Sequence, residues 1–230
     1  MSNRRLIFYN DSRHSHMYCY EPPMRLADAQ APVDEIAGTG VDTFAYGFGL
    51  GPTMFHDTKV GEIMGSHLSV FAEDDPNNLW ALSAWRAYEN VRSLIDRGID
   101  PLEVVIKRAH EKGMEFFGSF RTTHGSDPSN LVTAHNWQFR IDHPEWCLGD
   151  RSMAKLKDDP RSIYWSALDF EVPEVRDQRV SVIEDICSRY DVDGLELDWW
   201  RWPMFFKPSL EGKPAERHQI EIMNNFLRRV

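Results

Sequence analysis

The sequence predicts an α/β fold in which parallel strands are joined by helical crossovers. Apolar, strand-like segments alternate with segments of helical periodicity in the order β-α-β-α-α-β-α-β. The last strand lies within residues 190–203, YDVDGLELDWWRWP, where a carboxylate is followed at once by aromatic residues and an arginine. With 230 residues the chain can bury the core of one domain, so we predict a single domain over residues 1–230.

Glycines and one capping sequence define the predicted elements. Asp100, Pro101 and Glu103 combine an N-cap, a proline at the first helical position and an acidic third residue. Gly98 and Gly113 suit the ends of the helices that precede them. The predicted strands lie at residues 6–10, 41–48, 114–120 and 193–199. The predicted helices lie at residues 33–37, 79–97, 100–112, 173–190 and 214–230, and a long connection covers residues 121–172.

Composition excludes several classes of partner. The net charge of −10 argues against a nucleic-acid or anionic membrane surface, which would require a basic patch. The sequence has no apolar run of membrane-spanning length and no signal-peptide pattern at its start. Cys19, Cys147 and Cys187 are odd in number and widely spaced, which predicts free thiols and a cytoplasmic location. No glycine-rich phosphate loop is present, and we expect no cofactor.

The final strand separates an apolar face from an acidic face. Alternate side chains of a strand share a face. The two sets are Leu195, Leu197 and Trp199 on one side, and Gly194, Glu196 and Asp198 on the other. The apolar set can pack on helices, so the acidic set points into whatever the sheet encloses. Asp198 comes near the carboxyl end of the strand, where (β/α) barrels place their chemistry.

Residues 193–203 resemble the fourth-strand motif of a family of glycosyl-hydrolase-like (β/α)8 barrels. In that motif Asp-Gly-hydrophobic-x-hydrophobic-Asp is trailed by Arg-aromatic-Pro, here ending at Asp198 and continuing with Arg201-Trp202-Pro203. Further similar segments follow the same order: GIDPLEVV at 98–105, GMEFFGSFR at 113–121, HPEW at 143–146 and ALDFEVPEVR at 167–176. The resemblance implies a TIM-barrel-type α/β fold and a glycoside hydrolase of carbohydrate metabolism, with a carbohydrate as the substrate.

Two departures limit what the resemblance implies. Alpha-amylase-type barrels carry an arginine two residues before the strand-four aspartate, where this chain has Glu196, so their mechanism does not transfer directly. A complete barrel needs about 250 residues, whereas Asp198 ends only the fourth predicted strand. We therefore expect a partial barrel of about four β/α units, truncated at its C-terminus. A fragment, a half completed by a partner and an open α/β sheet remain alternatives, and an open sheet edge predicts self-association.

Asp198 is the candidate nucleophile or stabilising carboxylate, because glycosidases use two carboxylates of which one is ionised. The alternative role of Asp198 is structural, as a cap at the strand end or a salt-bridge partner of Arg201. Glu196 shares its face, but both residues lie on one strand and are poorly placed to flank a sugar bond. We expect Glu196 a layer deeper, paired with an arginine. The acid/base is then expected on a strand that the chain does not contain.

The other candidate residues follow the predicted strands and are expected to bind or orient the substrate. Arg121 and His124 come after the third strand, while Asn10 and Tyr46 end the first two and could line the same pocket. Trp200 could stack on a sugar, although most of the tryptophans are expected to pack in the core. The full substrate-binding or orienting set is Arg121, His124, Arg201, Glu196, Asn10, Tyr46 and Trp200.

Two alternatives to a hydrolase remain open. The first is a non-catalytic carbohydrate-binding barrel, or an inactive fragment, that keeps the acidic and aromatic groove but lacks the acid. The second is a metal-dependent hydrolase or isomerase with Asp198, Glu196 and His124 as ligands. It is less favoured, because no His-x-His pair ends the first strand and the other histidines lack zinc-ligand spacing. We expect no bound metal.

Overall fold

The computed structural model describes residues 4–51, 53–67, 79–131, 133, 135–156 and 158–230. Its strands are β1 (Ile7–Asn10), β2 (Thr43–Leu50), β3 (Thr53–Met54), β4 (Glu62–Ile63), β5 (Glu115–Arg121) and β6 (Gly194–Asp198). Its helices are α1 (Leu26–Asp34), α2 (Leu79–Ile95), α3 (Pro101–Glu111), α4 (Gln138–Asp142), α5 (Arg161–Tyr164), α6 (Pro173–Arg189), α7 (Lys207–Leu210) and α8 (Arg217–Arg229). A π-helical segment covers His14–Cys19.

Four strands form one parallel sheet in chain order, which confirms the predicted α/β fold. β1 pairs with β2, β2 with β5 and β5 with β6, all parallel. Helical segments connect them, which is the arrangement of the first β/α units of a TIM-type barrel. β3 turns back antiparallel to β2 after Gly51, whose φ is +62°, and β4 pairs parallel with β3. This short extension is absent from the sequence-based prediction.

The helices cover one face of the sheet. Phe44, Phe116 and Phe120 are fully buried between the strands and the helices, in the same core cluster as Leu102 and Ile183. Leu195 and Leu197 pack against that cluster, as predicted. Burying an aromatic side chain of this size stabilises the fold by about 2–3 kcal/mol. The helix-covered face therefore holds the hydrophobic core.

The opposite face of the sheet, here called the inner face, carries the polar residues. Register pairs Ser119 with Glu196 and Arg121 with Asp198, so these four side chains share this face. Tyr9 belongs to it as well, because it pairs with Ala45 and through Ala45 with Phe117. Glu196 is exposed on this side. The predicted separation of Glu196 from Leu195 and Leu197 is confirmed.

The start of α3 is confirmed in detail. The Asp100 carboxylate accepts a hydrogen bond from the backbone N–H of Leu102 at 2.9 Å, and Pro101 is the first helical residue. Gly98 and Gly113 have φ values of +72° and +75°, the left-handed region that glycine occupies without steric cost. These local signals fix where the helix begins and where β5 follows it.

The predicted helix at residues 33–37 is wrong in its position. α1 begins earlier, because the Asp28 carboxylate accepts hydrogen bonds from the backbone N–H of Arg25 at 3.0 Å and from its Nε at 2.9 Å. Residues 35–40 form turns instead of a helix, with positive φ at Gly38 and Gly40. Within the described residues no helix is both long and apolar enough to cross a membrane.

Candidate active site

Asp198 is held in a fixed orientation at the carboxyl end of β6. Its Oδ1 accepts hydrogen bonds from the backbone N–H groups of Trp200 at 2.9 Å and Arg201 at 3.1 Å. Its Oδ2 lies 3.4 Å from Nε of Arg121, and the side chain is 18% exposed. The carboxylate is thus oriented by protein donors and still reached by solvent.

The cation beside Asp198 is Arg121, one of the predicted orienting residues, and not Arg201, the salt-bridge partner of the structural alternative. Arg201 is exposed, and its side chain forms no ion pair within the described parts of the chain. Arg121 is buried, and its Nη1 has no hydrogen-bond partner among the residues that the structure describes. The next residue, Thr122, ties the two strand ends together, because its N–H and Oγ1 both donate to the Asp198 carbonyl, at 3.2 and 3.1 Å.

Two neutral imidazoles stack near the end of β5. The rings of His124 and His135 are 5.1 Å apart, and Trp202 packs on His124 at the same centroid distance. Burial, reinforced by nearby positive charges, lowers the pKa of His124 well below its ordinary value. Burial likewise lowers the pKa of His135 to about 4. Both imidazoles are therefore uncharged at pH 7 and can donate and accept hydrogen bonds.

Two buried arginines support this segment, and the sequence analysis missed both. Arg140 of α4 donates from Nη1 to the His135 carbonyl at 3.1 Å and from Nη2 to the His124 carbonyl. Arg179 of α6 donates from Nε to the Thr122 carbonyl at 2.8 Å. Burial lowers the pKa of Arg140 to about 10 and that of Arg179 to about 9. No local pattern distinguishes these arginines from the exposed ones of a helix.

Asp11 and Arg13 follow the carboxyl end of β1. The carboxyl ends of the parallel strands, with the residues that follow them, are here called the rim of the inner face. Nη2 of Arg13 lies 2.7 Å from Oδ2 of Asp11. The backbone of Asp11 passes close to Gly47, where an added Cβ would come within 3.3 Å of it. The positive charge of Arg13 contributes to the lowered pKa of both His124 and His135.

Asn10 and Tyr46 do not line the inner face, so the prediction that they share a pocket with Asp198 is wrong. They pair with each other in register and lie on the helix-covered side, with Gly118. Tyr46 is only 3% exposed and its hydroxyl lies 3.4 Å from Nε2 of His16. The amide oxygen of Asn10 accepts a hydrogen bond from the Ser12 N–H at 2.8 Å. Strand parity decides both positions.

Glu196 and the tryptophans also differ from expectation. Glu196 is exposed and forms no ion pair within the described residues, none of which covers the inner face above it. Trp200 is 86% exposed, whereas Trp202 packs at the histidine pair. Trp137 is buried in the main core, and Trp199 packs against that core, as expected for most of the tryptophans.

A metal centre has no geometric support in the ranges that the structure describes. There, no three or more His, Cys, Asp or Glu side chains are grouped so that they could hold an ion. Asp198 is engaged by Arg121 and backbone donors, and Glu196 is exposed to solvent.

Comparison with known proteins adds relatives that cover only part of the chain. Glycosyl hydrolase DigH of Escherichia coli strain K12 is 27% identical in an alignment of length 112 that covers 44% of this chain and 22% of the relative. Glycosyl hydrolase YngK of Bacillus subtilis strain 168 is 27% identical in an alignment of length 128 that covers 54% of this chain and 22% of the relative. The match therefore spans about a fifth of the length of these relatives.

A solved structure supports the fold alone. The galactosidase domain of the alpha-galactosidase-sucrose kinase AgaSK aligns with 99% of this chain and 25% of its own, with a TM-score of 0.51 and 15% identity. The family described as Glycosyl hydrolase-like 10 matches residues 70–209. Because this match covers more than half of the chain, the protein belongs to the Glycosyl hydrolase-like 10 family, with a partial TIM-type barrel as its fold.

Proposed function

We propose that the chain contributes the first β/α units of a glycoside hydrolase barrel that acts on a carbohydrate, with Asp198 as its nucleophile or stabilising carboxylate. The observation that carries the proposal is the position of Asp198, which ends an inner-face strand and is oriented by two N–H groups and Arg121. Carboxyl ends of barrel strands are where such enzymes bind and convert their substrates.

The chemistry that we propose for Asp198 follows from its charge and fixed orientation. An ionised carboxylate near the anomeric carbon can stabilise the positive charge of an oxocarbenium-like transition state. As a nucleophile it can instead form a bond to the anomeric carbon. Prior orientation by Arg121 and the backbone removes part of the reorganisation that the reaction would otherwise require. The neutral His124 at the same rim can exchange hydrogen bonds with sugar hydroxyls.

The acid that protonates the leaving group is proposed to lie on a later strand of the complete barrel. Glu196 lies two residues before Asp198, roughly 7 Å along the same strand. That separation suits a carboxylate pair, but two groups on one strand approach a sugar from the same side. We therefore do not assign Glu196 as the acid.

One observation favours a non-catalytic, carbohydrate-binding barrel as a second candidate. Both carboxylate oxygens of Asp198 already accept hydrogen bonds from this chain, as they would if Asp198 only capped the turn at Trp200 and Arg201. Such a protein would bind sugars on the inner face and release no product.

The test is turnover of a panel of aryl glycosides and oligosaccharides, with the full natural gene product beside the purified 230-residue chain. We expect the gene product to release sugar and the chain alone to release none, because the acid is proposed to lie beyond it. Binding without turnover by the gene product would favour the second candidate. If the gene product neither binds nor cleaves any glycan of the panel, the proposed function is refuted.

We further propose that the isolated chain associates with itself through its open edges. β1 lies at the edge of the sheet beside β2, where Ile7 is 55% exposed, and Ile220 of α8 is 52% exposed. Unpaired strand edges and exposed apolar side chains favour association. Size-exclusion chromatography with light scattering is expected to show dimers or larger species. A stable monomer with a cooperative melting curve would contradict this.

A further inference from the structure

Positive charge at the rim of the inner face exceeds what its paired carboxylates balance. Arg121 shares its charge with Asp198, and Arg13 shares its charge with Asp11. Arg140 is fully buried and contacts no carboxylate in the described residues, since its hydrogen bonds go to backbone carbonyls. A buried charge without a counterion is costly, so a negative group bound nearby would be stabilised.

The Arg121 guanidinium has a free donor at this place. Nε faces Asp198, whereas Nη1 is buried without an acceptor among the described residues, on a side chain that is only 7% exposed. Parity places this side chain on the inner face, with Ser119 and Asp198. A buried N–H that lacks a partner costs about 1–3 kcal/mol, and a ligand oxygen would remove that cost.

The two imidazoles experience the same excess of positive charge. Besides burial, the groups that lower the pKa of His135 are Arg13, Arg140 and Arg121. For His124 they are His135 and the same three arginines. Arg140 donates to the backbone carbonyls of both histidines and Arg121 ends β5 three residues before His124, so an anion beside the imidazole pair would interact favourably with these cations.

We propose that this region is a subsite for the carboxylate of an acidic sugar residue, a hexuronate within the substrate glycan, with Arg121 and Arg13 as its direct ligands. The inference rests on the proposed function and specifies its substrate class. A carboxylate is planar and matches the guanidinium fork, which neutral hydroxyls satisfy less strongly. The imidazole of His124, whose Nδ1 has no partner among the described residues, can donate to the same ligand.

The acidic residues nearby define the direction from which the ligand approaches. The charges of Asp11 and Asp198 are already paired with guanidinium groups. Glu196 lies two residues before Asp198 on β6, farther from the carboxyl end of the strand, and is exposed to solvent. A ligand carboxylate therefore enters from the β1 and β5 side, away from Glu196, while the sugar ring extends towards Asp198.

The test compares binding of D-glucuronate, D-glucose and inorganic sulfate to the chain by ligand-observed NMR at constant ionic strength. We expect glucuronate to bind at least about tenfold more tightly than glucose, a difference of about 1.4 kcal/mol. Arg121→Gln is expected to abolish that preference, and Arg86→Gln, which removes an ion pair to Glu21 elsewhere, to keep it. Arg13→Gln gives the same comparison if Arg121→Gln fails to fold.

Each alternative result contradicts the inference in a distinct way. Equal binding of glucose and glucuronate would overturn the anion subsite and leave the proposed glycoside hydrolase untouched. Sulfate binding as tightly as glucuronate would show a general anion site and overturn the assignment to a sugar carboxylate. Failure of all three probes would overturn the subsite, whereas the proposed function fails only if the full gene product neither binds nor cleaves any glycan.

Discussion

Replacing Asp198 by asparagine is expected to lower kcat of the full natural gene product by about a thousandfold or more, which corresponds to about 4 kcal/mol of lost transition-state stabilisation. The asparagine keeps the shape of the side chain but removes the negative charge that would stabilise an oxocarbenium-like centre. Turnover of the best substrate of the glycoside panel measures the effect, with product release followed at saturating substrate concentration.

The fold is expected to tolerate this replacement. The amide oxygen of asparagine can still accept hydrogen bonds from the N–H groups of Trp200 and Arg201, which now bind Oδ1. The amide NH2 group then replaces Oδ2 and cannot accept the hydrogen bond from Nε of Arg121, so that contact is lost; at 3.4 Å it is a long one. Because the Arg121 guanidinium is buried and loses its acceptor, we expect a loss of about 1–3 kcal/mol in the free energy of unfolding, which leaves the chain folded.

Glu196→Gln is the matched control, because it removes a carboxylate from the same strand and the same face. Its side chain is exposed and has no ion-pair partner among the described residues, so we expect both kcat and stability to stay within a few-fold of the original. Near-normal turnover in Asp198→Asn would remove Asp198 from the mechanism. A large loss of stability with unchanged turnover would make it a structural cap.

Sequence reasoning predicts the parts of this fold that local chemistry determines. The alternation of Leu195, Glu196 and Leu197 is set by the strand itself, and the start of α3 by Asp100 and Pro101. The sequence also predicts that the strands are parallel, because helical segments connect them. These features depend on neighbours within a few residues.

The parts that sequence reasoning misses depend on contacts between distant segments. Strand parity puts Tyr46 on the same face as Phe44, but which face of β2 the helices cover is decided by tertiary packing. Arg140 and Arg179 are buried because the carbonyls of His124, His135 and Thr122 receive their donors. The exposure of Glu196 depends on what covers the inner face. In each case tertiary packing overrides local propensity.

The second large effect is expected for Phe116→Ala, which tests the assignment of the two faces. Phe116 is fully buried on the helix-covered side, with its ring near those of Phe44 and Tyr46, at 6.2 and 6.1 Å. Truncation leaves a cavity among close-packed rings, which costs about 3–5 kcal/mol in the free energy of unfolding. Urea unfolding of the 230-residue chain, followed by circular dichroism, measures this loss.

Phe117→Ala is the matched control, because the same change is made one residue later on the opposite face. Phe117 is half-buried on the inner face, where the Arg5 guanidinium lies 5.0 Å from its ring. Because the ring is only half-buried, it removes less apolar area from water on folding than the ring of Phe116. We therefore expect its truncation to cost about 1–2 kcal/mol in the free energy of unfolding. If Phe117→Ala destabilised the chain as much as Phe116→Ala, the inner face would have to be as well covered as the helical face. That result would contradict the open, partial barrel.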